Sequence, residues 1–166
     1  SVSADGRNWR ILNGGKPVLM SNVGEKGVRD PFIIRSEDGK CFYIIATDLS
    51  IYHRKRVTEE KVAWRQCTNA SPDNPNPGSQ RIVIWESKDL VNWSQARLAQ
   101  VAPVDAGCFW APKCIWDKEK KAYMIVGASK LPEDDYGWLR LYRTYTKDFL
   151  TFTEPEIYID LSLNPD

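Results

Sequence analysis

The residue best placed for chemistry in this 166-residue chain is Asp30, in the tripeptide Arg29-Asp30-Pro31. Pro31 fixes its own φ, has no N–H to lend to a sheet, and pushes the residue before it toward an extended conformation. The carboxylate therefore stands at the mouth of an apolar run, Val28 to Ile34, where it can take a proton, cap a turn or pair with Arg29. Trp110, in Phe109-Trp110-Ala111-Pro112, is the second candidate. Its ring can stack on a pyranose or furanose face or pack between sheets, and tryptophan serves in both ways. Phe32 lies just beyond Asp30, on the same side by strand alternation, and is a candidate pocket wall. Thr47 and Asp48 end the next apolar run, where they can reach the same site as Asp30, although a strand-end Asp is more often a turn former. His53 is the lone histidine, which fits a surface residue better than a ligand.

The elements that must position these residues can be read from the same stretch. Val28 to Ile34 and Cys41 to Ala46 flank Ser36-Glu37-Asp38-Gly39, and a polar, Gly-ended tetrapeptide between β-prone runs predicts a hairpin. The pattern recurs, because Pro31 to Ala46 aligns without gaps on Pro112 to Gly127, with Ile34 on Ile115 and Ile44 on Ile125. A second motif, Ser/Thr-x-Asp-x-x-x-aromatic, occurs at Ser3 to Trp9, Ser87 to Trp93 and Thr146 to Phe152. Its hydroxyl and carboxylate can accept bonds from nearby amides and close a tight turn, so Asp5, Asp89 and Asp148 speak for architecture rather than catalysis.

Each unit reads strand, hairpin, strand, longer loop, alternating strand (Arg81 to Glu86; Arg140 to Tyr145), turn and last short strand. Four antiparallel strands, repeated in a second unit, predict an all-β fold made of β-propeller blades. The units span 27–102, with a long Pro- and Asn-rich loop over 49–80, and 108–160; a turn and an outer strand at Trp9 to Leu12 fill 1–12. A ring typically needs about four to eight blades. The chain is thus expected to be the N-terminal part of a single propeller domain over 1–166 and beyond, about two blades plus a partial strand. Further sequence or another chain would supply the rest and cover the open edge.

Lys+Arg 23 against Asp+Glu 22 leaves a net charge of +1, and the longest basic run is His53 to Arg56. That balance argues against nucleic acid or an anionic membrane as the main partner. No run of about 18 apolar residues occurs, so no membrane insertion is expected. Trp 7, Tyr 7 and Phe 5 suit both a β-rich core and a sugar site. Cys41, Cys67, Cys108 and Cys114 lack C-x-x-C spacing, which argues against zinc. Two disulfides and free buried thiols are both open, and the apolar runs around Cys41 and Cys114 favour thiols.

With those residues placed, five segments resemble glycoside hydrolase family 43: Val28 to Ile34, Phe42 to Asp48, Ile82 to Trp93, Phe109 to Pro112 and Phe149 to Pro155. They occur in the family's order, and the similarity runs over nearly all of the chain except the long loop. The resemblance implies a five-bladed β-propeller that cleaves arabinose or xylose linkages in plant polysaccharides or oligosaccharides with inversion at the anomeric carbon. It also implies three carboxylates, namely a general base, an aspartate that tunes the acid's pKa, and a glutamate general acid. Asp30 falls on the base motif. An inverting site needs its base and acid roughly 6.5 to 9.5 Å apart, with the acid's pKa raised and the base ionised. The motifs that carry the other two carboxylates, V-I-D-x-T and E-G-P, do not occur here, and Asp166 does not match their context. Those groups are expected outside the chain, which alone is not expected to hydrolyse a glycoside.

One departure from the family falls inside the chain. Relatives usually carry an acidic residue after W-A-P, where this sequence has Lys113. An ammonium there would lower the pKa of neighbouring acids and can hydrogen-bond sugar hydroxyls. Two alternatives to the glycosidase stay open: a non-catalytic carbohydrate-binding propeller, and a structural or interaction propeller. What the resemblance implies as partner is a pentose-containing carbohydrate. No cofactor is called for, although some relatives hold calcium in the ring, and a secreted or periplasmic location follows from the resemblance alone.

Overall fold

The structure, a computed structural model, describes residues 1–50, 78–134, 136 and 138–160. Its strands are β1 (Val28–Arg35), β2 (Phe42–Asp48), β3 (Arg81–Ser87), β4 (Arg97–Gln100), β5 (Trp110–Asp117), β6 (Ala122–Ser129), β7 (Arg140–Thr146) and β8 (Glu156–Ile159). They pair in chain order into two four-stranded antiparallel sheets, β1-β2-β3-β4 and β5-β6-β7-β8. This is the meander of a propeller blade, made twice. Most of the long loop, with His53 and Cys67, lies outside the described residues, as does Asp166.

Local chemistry closes each hairpin. Between β1 and β2, Ser36 Oγ donates to Asp38 and accepts from the Cys41 amide at 2.8 Å, while Gly39 takes a φ of +73° that a side chain would oppose. Between β5 and β6, one Asp117 oxygen accepts the amides of Glu119 and Lys120. The three copies of the Ser/Thr-x-Asp turn are bonded alike. Gly6, Leu90 and Phe149 give their amides to Ser3, Ser87 and Thr146 at 2.8, 2.9 and 2.8 Å. Asn8, Asn92 and Thr151 give theirs to Asp5, Asp89 and Asp148. These donors hold all three carboxyls below the usual range. A strand over Trp9 to Leu12 does not form. The two arms of the first turn meet in a single bridge, Val2 to Arg10, and without a neighbouring sheet the pairing goes no further.

The core lies between the sheets. Ile45, Ile82 and Ile84 of the first face Phe109, Tyr123, Ile125, Tyr142 and Phe149 of the second. Each fully buried isoleucine contributes on the order of 1.5–3 kcal/mol. Phe149 stacks on Tyr43 with ring centroids 4.0 Å apart, and the Tyr123 hydroxyl accepts the Glu37 amide at 2.8 Å. The first sheet is covered on its other face too, where Ala46, Val83 and Trp85 meet Leu19, Val23 and Leu98. Hence β3 carries the unbroken apolar run Ile82-Val83-Ile84-Trp85, whereas in β7 Arg143, between the buried Tyr142 and Thr144, reaches out to Glu156 at 2.8 Å. Cys41, Cys108 and Cys114 are free thiols, and burial pushes the last two up to about 12, which makes them inert.

Candidate active site

The site is built where the first strands of the two sheets lie side by side, β5 packing against β1 and β2. Each of these strands opens with a β-bulge. In β1 the pairing steps from Arg29–Thr47 to Phe32–Ile45, so Asp30 and Pro31 oppose one residue. In β5 it steps from Trp110–Ala128 to Lys113–Val126, so Ala111 and Pro112 do the same. Asp30 and Ala111 take φ values of +49° and +48°. Proline explains the position, since it lacks the N–H that an unbroken ladder would use at that point. The positive φ was not legible from Arg-Asp-Pro, which reads as extended backbone.

The bulge re-aims Asp30, and Thr47 catches it. Thr47 Oγ1 donates to Asp30 Oδ2 at 3.2 Å and accepts the Ala111 amide at 2.9 Å. Thr47 is 1% exposed, whereas Asp30 is exposed. A buried hydroxyl thus ties an exposed carboxylate on the first sheet to the backbone of the second. Trp110, half-buried, immediately precedes the amide that completes this link.

The other two candidates meet each other. Lys113 Nζ lies 5.3 Å from the centroid of the Phe32 ring, within reach of a cation–π attraction. Phe32 is half-buried and packs against the core cluster. Because the bulge inserts a residue between Asp30 and Phe32, strand alternation alone does not fix which sides the two occupy.

Asp48 is no turn former. It is 3% exposed, and its Oδ1 accepts the Glu25 amide at 2.8 Å, while Glu25 Oε2 accepts the Ser50 amide at 2.9 Å. Burial pushes the Asp48 carboxyl up, with bonds from Ser79 and the Glu25 amide working against it. Gly24 is required here, because a Cβ on it would run into the Asp48 carboxylate. The segment leading into β1 is thereby fastened to the end of β2. Among the described residues no group of three or more His, Cys, Asp or Glu is arranged to hold a metal ion.

Residues 1–165 match a family described as a probable glycosyl hydrolase domain, related to glycoside hydrolase family 43. The chain belongs to this family. An α-L-arabinofuranosidase of Bifidobacterium longum subsp. longum is 28% identical over 170 residues, which cover 92% of this chain and 15% of that protein. A crystal structure of an exo-β-1,3-galactanase from Phanerochaete chrysosporium with β-1,3-galactotriose aligns over 76% of this chain and 25% of its own, with a TM-score of 0.47 and 17% identity. The chain thus spans about 15% of the curated relative it matches.

Within this family-43-related chain, Thr47 and Asp48 are the residues that sequence reasoning undervalued. A signal was present. The gapless repeat sets Thr47 on Ala128 and Asp30 on Ala111, so a hydroxyl and a carboxylate appear together in one copy where the other has methyl groups.

Proposed function

We propose that this chain carries the general base of an inverting glycoside hydrolase, with Asp30 as that base. The observation behind the reading is the Asp30 bulge: an exposed carboxylate at the mouth of an inner strand, held through Thr47 to the neighbouring sheet. In such a reaction the base takes a proton from water as the water attacks the anomeric carbon, and a separate acid protonates the departing oxygen. The acid and the pKa-tuning aspartate would come from outside this chain. On this reading 27–102 and 108–160 are two blades of a five-bladed ring, 1–12 belongs to the blade that closes it, and Trp110 lines the sugar site. Likeness to an arabinofuranosidase favours an arabinose- or xylose-bearing substrate and a secreted or periplasmic protein.

A second reading has a specific observation in its favour. Lys113, in the position where relatives usually carry an acid, is docked over Phe32, which suits a propeller that binds carbohydrate without cleaving it. The two are separated by assaying the complete gene product on aryl α-L-arabinofuranoside and aryl β-xyloside. Asp30→Asn should cut turnover by roughly 10²–10⁴-fold while leaving the fold and sugar affinity intact. A wild-type protein that binds arabinose or xylose oligosaccharides but turns over neither aryl glycoside would favour the binding reading.

A further inference from the structure

We infer that Thr47 is a positioning residue for the Asp30 carboxylate. The inference rests on reading Asp30 as the general base. A threonine hydroxyl has a single proton to give, and its lone pairs accept. Here the Ala111 amide donates to Oγ1 at 2.9 Å, so the proton is directed to Asp30 Oδ2 at 3.2 Å. Thr47 is 1% exposed, which keeps bulk water from competing for either bond. Its β-branch restricts χ1, and the amide that orients it belongs to the backbone bulge of the neighbouring blade, so neither end of the link swings easily. One carboxylate oxygen is thereby referenced to both blades at once. Rotation of the carboxyl group is restrained without any contact between Thr47 and the substrate.

The internal repeat supports a role beyond stapling two sheets. Blade two has the same bulge at the same φ, yet carries Ala111 for Asp30 and Ala128 for Thr47. The bulge stands without a hydroxyl where there is no carboxylate to orient.

The test uses the complete gene product on an aryl α-L-arabinofuranoside, together with crystal structures of the variants. Thr47→Val keeps the branched shape and removes the hydroxyl; Thr47→Ser keeps the hydroxyl and removes the methyl. Thr47→Val should lower kcat about tenfold or more with KM changed less than about twofold, and Thr47→Ser should restore most of the rate. In an Asp30→Asn background, Thr47→Val should add no further loss, as expected for residues acting as a unit. Independently of turnover, the Thr47→Val crystal structure should show Asp30 in a second side-chain rotamer. Wild-type kcat in Thr47→Val, equal losses in Val and Ser variants, an unmoved Asp30 rotamer, or a Val variant that fails to fold beside a sound Ser variant would each overturn the inference. Full activity in Asp30→Asn alone would instead overturn the general-base reading beneath it.

Discussion

The two blades are one design used for different ends. Both hairpins align without a gap, both inner strands break register at the same place, and both bulged residues adopt a φ near +50°. In blade one the bulge presents Asp30; in blade two it presents Ala111. For alanine the left-handed region costs roughly 1–2 kcal/mol, and blade two bears that cost with no carboxylate to show for it. The bulge is therefore a property of the fold, made by the proline and the sheet geometry, and the side chain placed on it is what differs between the blades.

The same contrast runs through the strand ends. Asp48 accepts the Glu25 amide at 2.8 Å, and its counterpart Ser129 donates to the Cys108 carbonyl at 2.8 Å. Each grips the segment that leads into its inner strand, one with a carboxylate and one with a hydroxyl. Two residues earlier the blades differ in bulk. Ala46 contributes its methyl to the second core cluster, while Gly127 has no Cβ, and one built there would meet the Phe109 ring.

The largest effect on stability is expected where the blades are least alike. Gly127→Ala forces Phe109, fully buried, out of its place and should destabilise by about 1–3 kcal/mol in urea unfolding. A neutral result would mean that Phe109 has room to move and that the small residue reflects something other than packing. Next come the strand-end grips. Asp48→Ala leaves the Glu25 amide without its acceptor and should cost about 1–3 kcal/mol, against about 1 kcal/mol for Ser129→Ala. Equal losses would show that the carboxylate does no more than the hydroxyl.

The smallest effects are expected where the blades agree, in the turns at Asp89 and Asp148. Both carboxyls are held below the usual range by backbone and side-chain donors. A depressed folded pKa adds stability that is present above the unfolded value, about 3.9, and is lost as pH falls through the folded value. Asp48 has the opposite sign: with its folded pKa raised, its contribution is full below the unfolded value and declines as pH rises through the folded one. Asp89→Asn and Asp148→Asn should therefore each flatten the loss of stability below about pH 4, Asp89→Asn the more because its carboxyl is held further below the usual range. Equal flattening in acid-unfolding curves, or none, would break that ordering.

Much of this was readable in advance because it is periodic and local. The hairpin at Ser36 to Gly39, the turns at Asp5, Asp89 and Asp148, and the strand order follow from residues close in sequence bonding their own neighbours. Asp30 stood out for the same reason, fixed beside Pro31, and Trp110 through its short segment Phe109-Trp110-Ala111-Pro112. The geometry that joins them did not. Thr47 reaches 17 residues back to Asp30 and 64 forward to Ala111, and Asp48 reaches 23 back to Glu25.

The sequence by itself determined the two blades, their strand order and the carboxylate at the head of the first, since alternation, turn chemistry and repetition are properties of short stretches. Only the tertiary structure decided what that carboxylate touches. Thr47 bridges Asp30 to the second blade, and Lys113 settles on Phe32, because two bulged strands lie side by side. Such contacts form across sheets, where separation along the chain says nothing about distance in space.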